Sequence, residues 1–254
     1  MQMSFDSLTK KKFVLDKPVR LIELFSGIGA VSKALSRLGV NFTHHIACDF
    51  DKFAMQSYNA IHGTDFSPSD ITALTGSDLA ITDTNKYIYI LSYTFPCQDL
   101  SLAGKRQGMT KGDNTRSGLL WEVERLINEL EELPQVLLME NVPQIHGTGN
   151  IESFREWIAF LERKGYTSTY KDLNAKDFGV PQNRNRTFMI SLLDGYYEFP
   201  EPMPLTETLS DRLESEVDEK HYLSDTAVQS LLKNSKNHGF VPQELSGGGG
   251  YHPR

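Results

Sequence analysis

Apolar positions cluster into short continuous runs, each closed by a polar turn and followed by a stretch of helical period. Val19 to Phe25 is the first run. Ser26-Gly27-Ile28-Gly29-Ala30 turns the chain, and a helical pattern covers Val31 to Leu38. Further strands are predicted at Phe42 to Cys48, at a third site ending near Ser67 to Ile71, at Tyr87 to Leu91, Val136 to Met139, Tyr166 to Asn174 and Thr187 to Leu192. Helices are predicted over Lys52 to Tyr58, Leu119 to Leu133 and Ile151 to Lys164, the second with Trp121, Val123, Leu126, Ile127 and Leu130 as core candidates. Thr75 to Lys86 reads as a loop or a short helix. Runs that are apolar throughout are buried on both faces, so the sheet is mostly parallel and helices cover both sides. The expected fold is α/β and Rossmann-like, with seven strands.

From Gly195 the pattern changes. Pro200, Pro202 and Pro204 alternate with Glu198 and Glu201 in a linker-like segment. Short helices are expected over Leu205 to Asp218 and Ser224 to Lys233, before a glycine-rich end at Gly247 to Gly250. The division expected is 1–194 for the α/β domain and 195–254 for a separate region that begins with this linker. Charge supports a change of character there. The net charge is −7, and Gly195 to Arg254 carries ten acidic and five basic residues, leaving only −2 for the rest. Bulk charge therefore gives nucleic-acid binding no support, although a locally basic cleft is compatible with it. No apolar run reaches the length of a membrane span and no secretory signal opens the chain. Two cysteines, Cys48 and Cys97, in different motifs point to free thiols in a reducing cytosol.

Cys97 is the leading chemical candidate. It lies just past the Tyr87 to Leu91 strand, after Thr94-Phe95-Pro96, where α/β folds collect catalytic groups. Lys105, Arg106 and Lys111 are close behind it in the chain, and positive neighbours raise the thiolate fraction. A half-buried packing cysteine fits this stretch equally well. Ser101 to Arg116, with Gly104, Gly108 and Gly112, is long for an idle connection and suits a closing lid. Glu140 ends an apolar strand and would face the same crevice, its burial favouring the protonated form. Arg184 and Arg186 alternate into a strand and so share one face, suited to a phosphate or carbonyl, or to pairing surface acids.

The cofactor signals are weaker one by one. Gly27-x-Gly29 permits close backbone approach, but Ser32 stands where the dinucleotide fingerprint has its third glycine, and a plain strand-to-helix turn explains the pair as well. Asp49 lies 22 residues beyond Gly27 at the end of the second strand, a position that binds ribose hydroxyls. Asp51 is better placed to cap the next helix. Ser67 to Ile71 alone is no more than a turn.

Four motifs occur in order: Glu23-Leu24-Phe25-Ser26-Gly27-Ile28-Gly29, Pro96-Cys97-Gln98, Glu140-Asn141-Val142, and Gln182-Asn183-Arg184-Asn185-Arg186. Together, over about Arg20 to Leu192, the chain resembles the cytosine-5 DNA methyltransferases. The resemblance implies the S-adenosylmethionine-dependent methyltransferase fold and that methyl donor, with no metal. Phe25, Ser26, Gly27, Ile28 and Gly29 would surround its methionine and ribose parts. Asp49 would take the ribose hydroxyls, Phe50 would lie against the adenine, Asp70 and Ile71 would meet its edge, and Pro96 and Leu119 would complete the wall. Cys97 would add to carbon 6 of cytosine, Glu140 would bond ring nitrogen 3 and the amino group, Arg186 would hold the ring carbonyl, and Arg184 would support the cysteine loop or a phosphate. Ala30, Asp49 and Thr94 depart from the family's usual Gly, Glu and Gly.

A base inside a duplex must be extruded before such chemistry, so the implied partner is double-stranded DNA with a flipped-out cytosine. The resemblance also implies restriction-modification or its evasion, in a bacterial or phage-infected cytoplasm. It makes 195–254 a linker and the start of a truncated target-recognition region, with the family's last motifs unmatched. Little sequence-specific methylation is therefore expected of residues 1–254 alone, and a second subunit carrying the recognition region is one explanation. A transfer-RNA cytosine methyltransferase and a non-catalytic subunit of a split enzyme are the alternatives.

Overall fold

A computed structural model describes residues 11–96, 109, 111, 117–208 and 210–237. The sheet contains β1 (Val19–Leu24), β2 (Phe42–Cys48), β3 (Ile88–Tyr93), β4 (Val136–Asn141), β5 (Thr167–Asn174) and β6 (Asn185–Leu192), in the order β2-β1-β3-β4-β6-β5. β1 pairs in parallel with β2 and β3, and β3 with β4, whereas β6 runs antiparallel to both β4 and β5. The helices are α1 (Ala30–Arg37), α2 (Lys52–His62), α3 (Leu120–Glu129), α4 (Ile151–Arg163) and α5 (Asp225–Asn237).

Alternation along the strands explains why their apolar runs are continuous. Val19, Leu21, Ile88 and Ile90 enter one core layer, to which α1 contributes Val31 and Leu35. Ile22, Leu24, Tyr89, Leu91 and Tyr93 enter the other, packed on Val123, Leu126 and Ile127 of α3 and Phe154, Trp157 and Leu161 of α4. β1 and β3 thus each contribute to two cores. Trp157 Nε1 donates to the Tyr93 hydroxyl at 3.1 Å, which satisfies both buried polar groups.

The sheet has six strands rather than the seven expected. The third predicted strand is absent among the described residues. Pro68 has no N–H to give a ladder, and the Asp70 carboxylate captures the Thr72 N–H and hydroxyl at 2.9 Å each, starting a short 3₁₀ turn at Ile71–Ala73. One backbone bond, from Ser69 N–H to the Asp49 carbonyl at 2.9 Å, ties this segment to the end of β2. α2 runs one turn beyond its predicted end and stops where Gly63 takes the left-handed conformation.

The chain divides into two compact units, Met1–Glu207 and Thr208–Arg254. The second carries α5. Among the described residues, Leu205 to Asp218 contains the 3₁₀ turn Ser210–Arg212 in place of the expected helix, because Asp211 accepts from the Thr208 N–H and hydroxyl and closes a local loop.

The parallel strands β1 to β4 end at one edge of the sheet, and β6 begins there. β1 lies between β2 and β3, so successive connections leave it in opposite directions. That reversal creates a crevice at the strand ends, the usual ligand position in open α/β sheets.

Candidate active site

Two clusters line this edge. The first is the turn between β1 and α1. Phe25, Gly27 and Gly29 all have positive φ, at 58°, 53° and 81°. Phe25 is the notable one, since a side chain in that region costs of order 1–3 kcal/mol and persists only where the surroundings enforce it. A Cβ on Gly27 would meet nothing within 4 Å, so the turn opens onto free space. A Cβ on Gly29 would collide with the His62 and Tyr58 rings, so only glycine fits there.

Asp49 ends β2 beside this turn. Its Oδ2 accepts the Gly27 N–H at 2.9 Å and its Oδ1 accepts the Asp51 N–H at 3.0 Å. The carboxylate therefore shapes the turn as well as facing the space above it. Asp51 caps α2 by accepting from Phe53 N and Ala54 N. Phe50 is 78% exposed and Ile28 57%, and apolar groups left open beside a glycine turn suit a flat aromatic ligand. Ile71 is buried, and Asp70 holds the 3₁₀ turn just described. Leu119 is half-buried against the core and precedes α3.

The second cluster lies at the ends of β4 and β6. Arg186 Nε is 3.1 Å and Arg184 Nη2 3.6 Å from Glu140 Oε1. Both contacts fall on the same carboxylate oxygen. The Glu140 side chain is 23% exposed, and burial raises its pKa above the ordinary carboxylate value against the opposing pull of Arg186 and Arg184. The two arginines do share a face, as their alternation predicts. A hairpin of hydrogen bonds holds that face in place: the Arg184 carbonyl accepts from Ala175 N–H at 2.9 Å, and Asn174 Oδ1 accepts the Arg184 N–H at 3.1 Å.

Two residues outside the candidate set connect the clusters. Asn141 is buried, and its Nδ2 donates to the Phe95 carbonyl at 3.0 Å while its Oδ1 accepts the Val142 N–H. It fixes the backbone two positions before Cys97. Thr94 donates its hydroxyl to the Phe25 carbonyl at 2.9 Å, joining the end of β3 to the turn after β1. The sequence signal for the first is a buried asparagine closing an apolar strand. For Thr94 the signal is its replacement of a glycine, which proves to add a hydrogen bond.

Cys97 itself lies outside the described residues, as do Lys105, Arg106 and most of the Ser101 to Arg116 segment. Lys111 pairs with Glu124 at 2.7 Å and lies 5.1 Å from the Trp121 ring centroid. Met109 is buried, and its carbonyl accepts from Trp121 Nε1 at 2.8 Å. Among the described residues no cluster of His, Cys, Asp and Glu suits a metal ion, and no helix is long and apolar enough to cross a membrane.

A mostly parallel sheet with a glycine turn after its first strand, an acid closing the second, and a carboxylate under two arginines at the fourth defines a Rossmann-like methyltransferase fold. The chain belongs to the C-5 cytosine-specific DNA methylase family, which matches residues 19–246. It is 34% identical to the type II methyltransferase M.NlaX of Neisseria lactamica over 216 residues, covering 84% of this chain and 66% of the relative. It is 42% identical to the orphan methyltransferase M.SssI of Spiroplasma monobiae over 155 residues, covering 60% of this chain and 40% of that one. The chain thus spans less than two thirds of the length of these relatives. Among solved structures, the S. pombe Dnmt2 methyltransferase superposes with a TM-score of 0.66 at 22% identity, covering 86% of this chain and 67% of that one. The Entamoeba histolytica methyltransferase EhMeth gives 0.67 at 20%, covering 82% and 64%. These two likenesses establish the fold. Proteins of this family use S-adenosylmethionine.

Proposed function

We propose that this chain binds S-adenosylmethionine over the Phe25 to Gly29 turn and methylates carbon 5 of a cytosine extruded from double-stranded DNA. The observation that carries the reading is the Glu140 carboxyl held by both Arg186 and Arg184, one residue from the Asn141 that holds the Phe95 carbonyl. The donor fits the residues present. The turn is open above Gly27, Phe50 and Ile28 offer apolar surface to an adenine, and Asp49 and Asp70 supply carboxylates for ribose and adenine edges. Ser26 and Gly29 would bound the methionine part, with Ile71, Pro96 and Leu119 forming the wall. When bound, S-adenosylmethionine supplies an electrophilic methyl group.

The residues of the chain do the rest. Cytosine carbon 5 is a poor nucleophile. The Cys97 thiolate forms a bond to carbon 6, and the pair of the 5,6 double bond moves onto carbon 5. Glu140, its pKa raised by burial, hydrogen-bonds ring nitrogen 3 and the amino group and stabilises the charge that develops there. Arg186 holds the ring carbonyl and Arg184 the loop or a phosphate. Once carbon 5 carries its methyl, loss of its proton to a base restores the double bond and expels the thiolate. Residues 1–194 carry this chemistry, and 195–254 lead into the recognition region. The setting is restriction-modification or its evasion, in the cytoplasm of a bacterial or phage-infected cell.

The test is transfer from labelled donor to double-stranded DNA and, in parallel, to transfer RNA. Label in carbon 5 of DNA cytosine, absent from RNA, is expected. Label only in RNA would replace the DNA assignment.

A further inference from the structure

Ser32 stands where a dinucleotide fingerprint has glycine, and nothing in the catalytic reading uses it. In the fold it is fully buried. Its N–H, in the first turn of α1, donates to Glu23 Oε1 at 3.3 Å, and its hydroxyl donates to Glu23 Oε2. The Tyr58 hydroxyl donates to the same Oε2 at 2.6 Å. His44 Nδ1 lies 2.9 Å from the Tyr58 oxygen and 3.2 Å from Ser32 Oγ.

Both hydroxyls donate to the carboxylate, and their oxygens lie 3.1 Å apart. His44 Nδ1 faces both oxygens, and in the tautomer with its proton on Nδ1 it donates to them. Burial and the neighbouring Glu23 raise the Tyr58 pKa, which keeps the phenol a donor. Glu23 is only 2% exposed, and three donors satisfy its carboxyl oxygens.

The network reaches the turn above it through α2. The Tyr58 and His62 rings lie 4.7 Å apart, centroid to centroid, and both press on Gly29. His62 Nε2 donates to the Ile28 carbonyl at 3.1 Å. Five residues from β1, α1, β2 and α2 thus converge under the Phe25 to Gly29 backbone. A turn with three left-handed residues needs such enforcement.

We propose that Ser32, Tyr58 and His62 are positioning residues for the methyl donor, holding the turn in its ligand-ready shape through the buried Glu23 carboxylate and the Ile28 carbonyl. The inference rests on the cofactor reading above. It opposes the motif-based expectation, under which glycine at position 32 would serve better.

The test is binding of S-adenosylmethionine to the full chain by calorimetry, alongside thermal melting without ligand. Ser32→Gly, Ser32→Ala and Tyr58→Phe are each expected to weaken binding about 5- to 10-fold. The Ser32→Ala/Tyr58→Phe double variant should lose less than the product of the singles, because both act on one carboxylate. His62→Phe should weaken binding similarly, and His62→Gln, whose amide N–H can still reach the Ile28 carbonyl, should recover most of it. A role confined to stability would lower the melting temperature and leave affinity unchanged. Affinities within twofold of wild type for Ser32→Ala and His62→Phe, or a His62→Gln variant as weak as His62→Phe, would overturn the proposal. Failure of the wild-type chain to bind the donor would instead overturn the cofactor reading.

Discussion

The two ends of the strand edge are built from different interactions. At β1 and β2 the polar groups are satisfied within the protein: Glu23 has three donors, and both Asp49 oxygens accept backbone N–H groups. At β4 and β6 both arginine contacts fall on a single Glu140 oxygen, and Arg184 remains half exposed. The first region is held rigid by short-range hydrogen bonds of fixed geometry. The second holds its carboxyl, among the described residues, through one oxygen, which suits a group that arrives later. A binding surface gains affinity from preorganisation, whereas a catalytic cluster must interact more strongly with the transition state than with the resting site. Asn141 and Thr94 couple the two through the backbone on either side of Phe95.

This division can be broken from either side. Glu140→Gln is expected to reduce kcat by about 10²- to 10³-fold, the scale of a lost electrostatic stabiliser, with donor affinity within twofold of wild type. A matching fall in donor affinity would merge the two regions. Asp49→Ala should do the reverse, raising the dissociation constant for the donor about 10-fold or more while kcat falls far less. It also strips an acceptor from the Gly27 N–H, so its effect should exceed that of removing a ribose contact alone.

Asn141→Ala probes the link. It leaves the buried Phe95 carbonyl without its donor, which costs about 1–3 kcal/mol in unfolding free energy by denaturant titration, and it should lower kcat more than donor affinity. The smallest effect concerns pH. Arg184 favours the charged form of Glu140, so Arg184→Met should raise the carboxyl further. If the protonated carboxyl is the active form, the alkaline limb of kcat/KM moves to higher pH. An acidic limb that moves to higher pH instead would show that the ionised form works.

Much of this arrangement is readable from residue order. The strand ends, the Asp51 cap and the shared face of Arg184 and Arg186 follow from periodicity and local chemistry, because each is decided within a few residues. The expected third strand fails for the opposite reason: Pro68 and the Asp70 side chain override a position that topology alone would fill. The Glu23 network is hidden because its members are scattered, with Glu23 and Tyr58 35 positions apart, and meet only in the folded sheet. Glu23 inside the apolar run Val19 to Phe25 and Ser32 at the fingerprint's glycine position are the clues.

The central claim is that Cys97 attacks carbon 6 of cytosine. It is tested by incubating the full chain and S-adenosylmethionine with a duplex bearing 5-fluorocytosine, then mapping any covalent complex by mass spectrometry. Fluorine in place of the carbon 5 proton blocks the last step, so a methylated adduct on Cys97, lost in Cys97→Ala, is predicted. An adduct that persists in Cys97→Ala would contradict the account, as would none from wild-type protein shown to bind both donor and duplex.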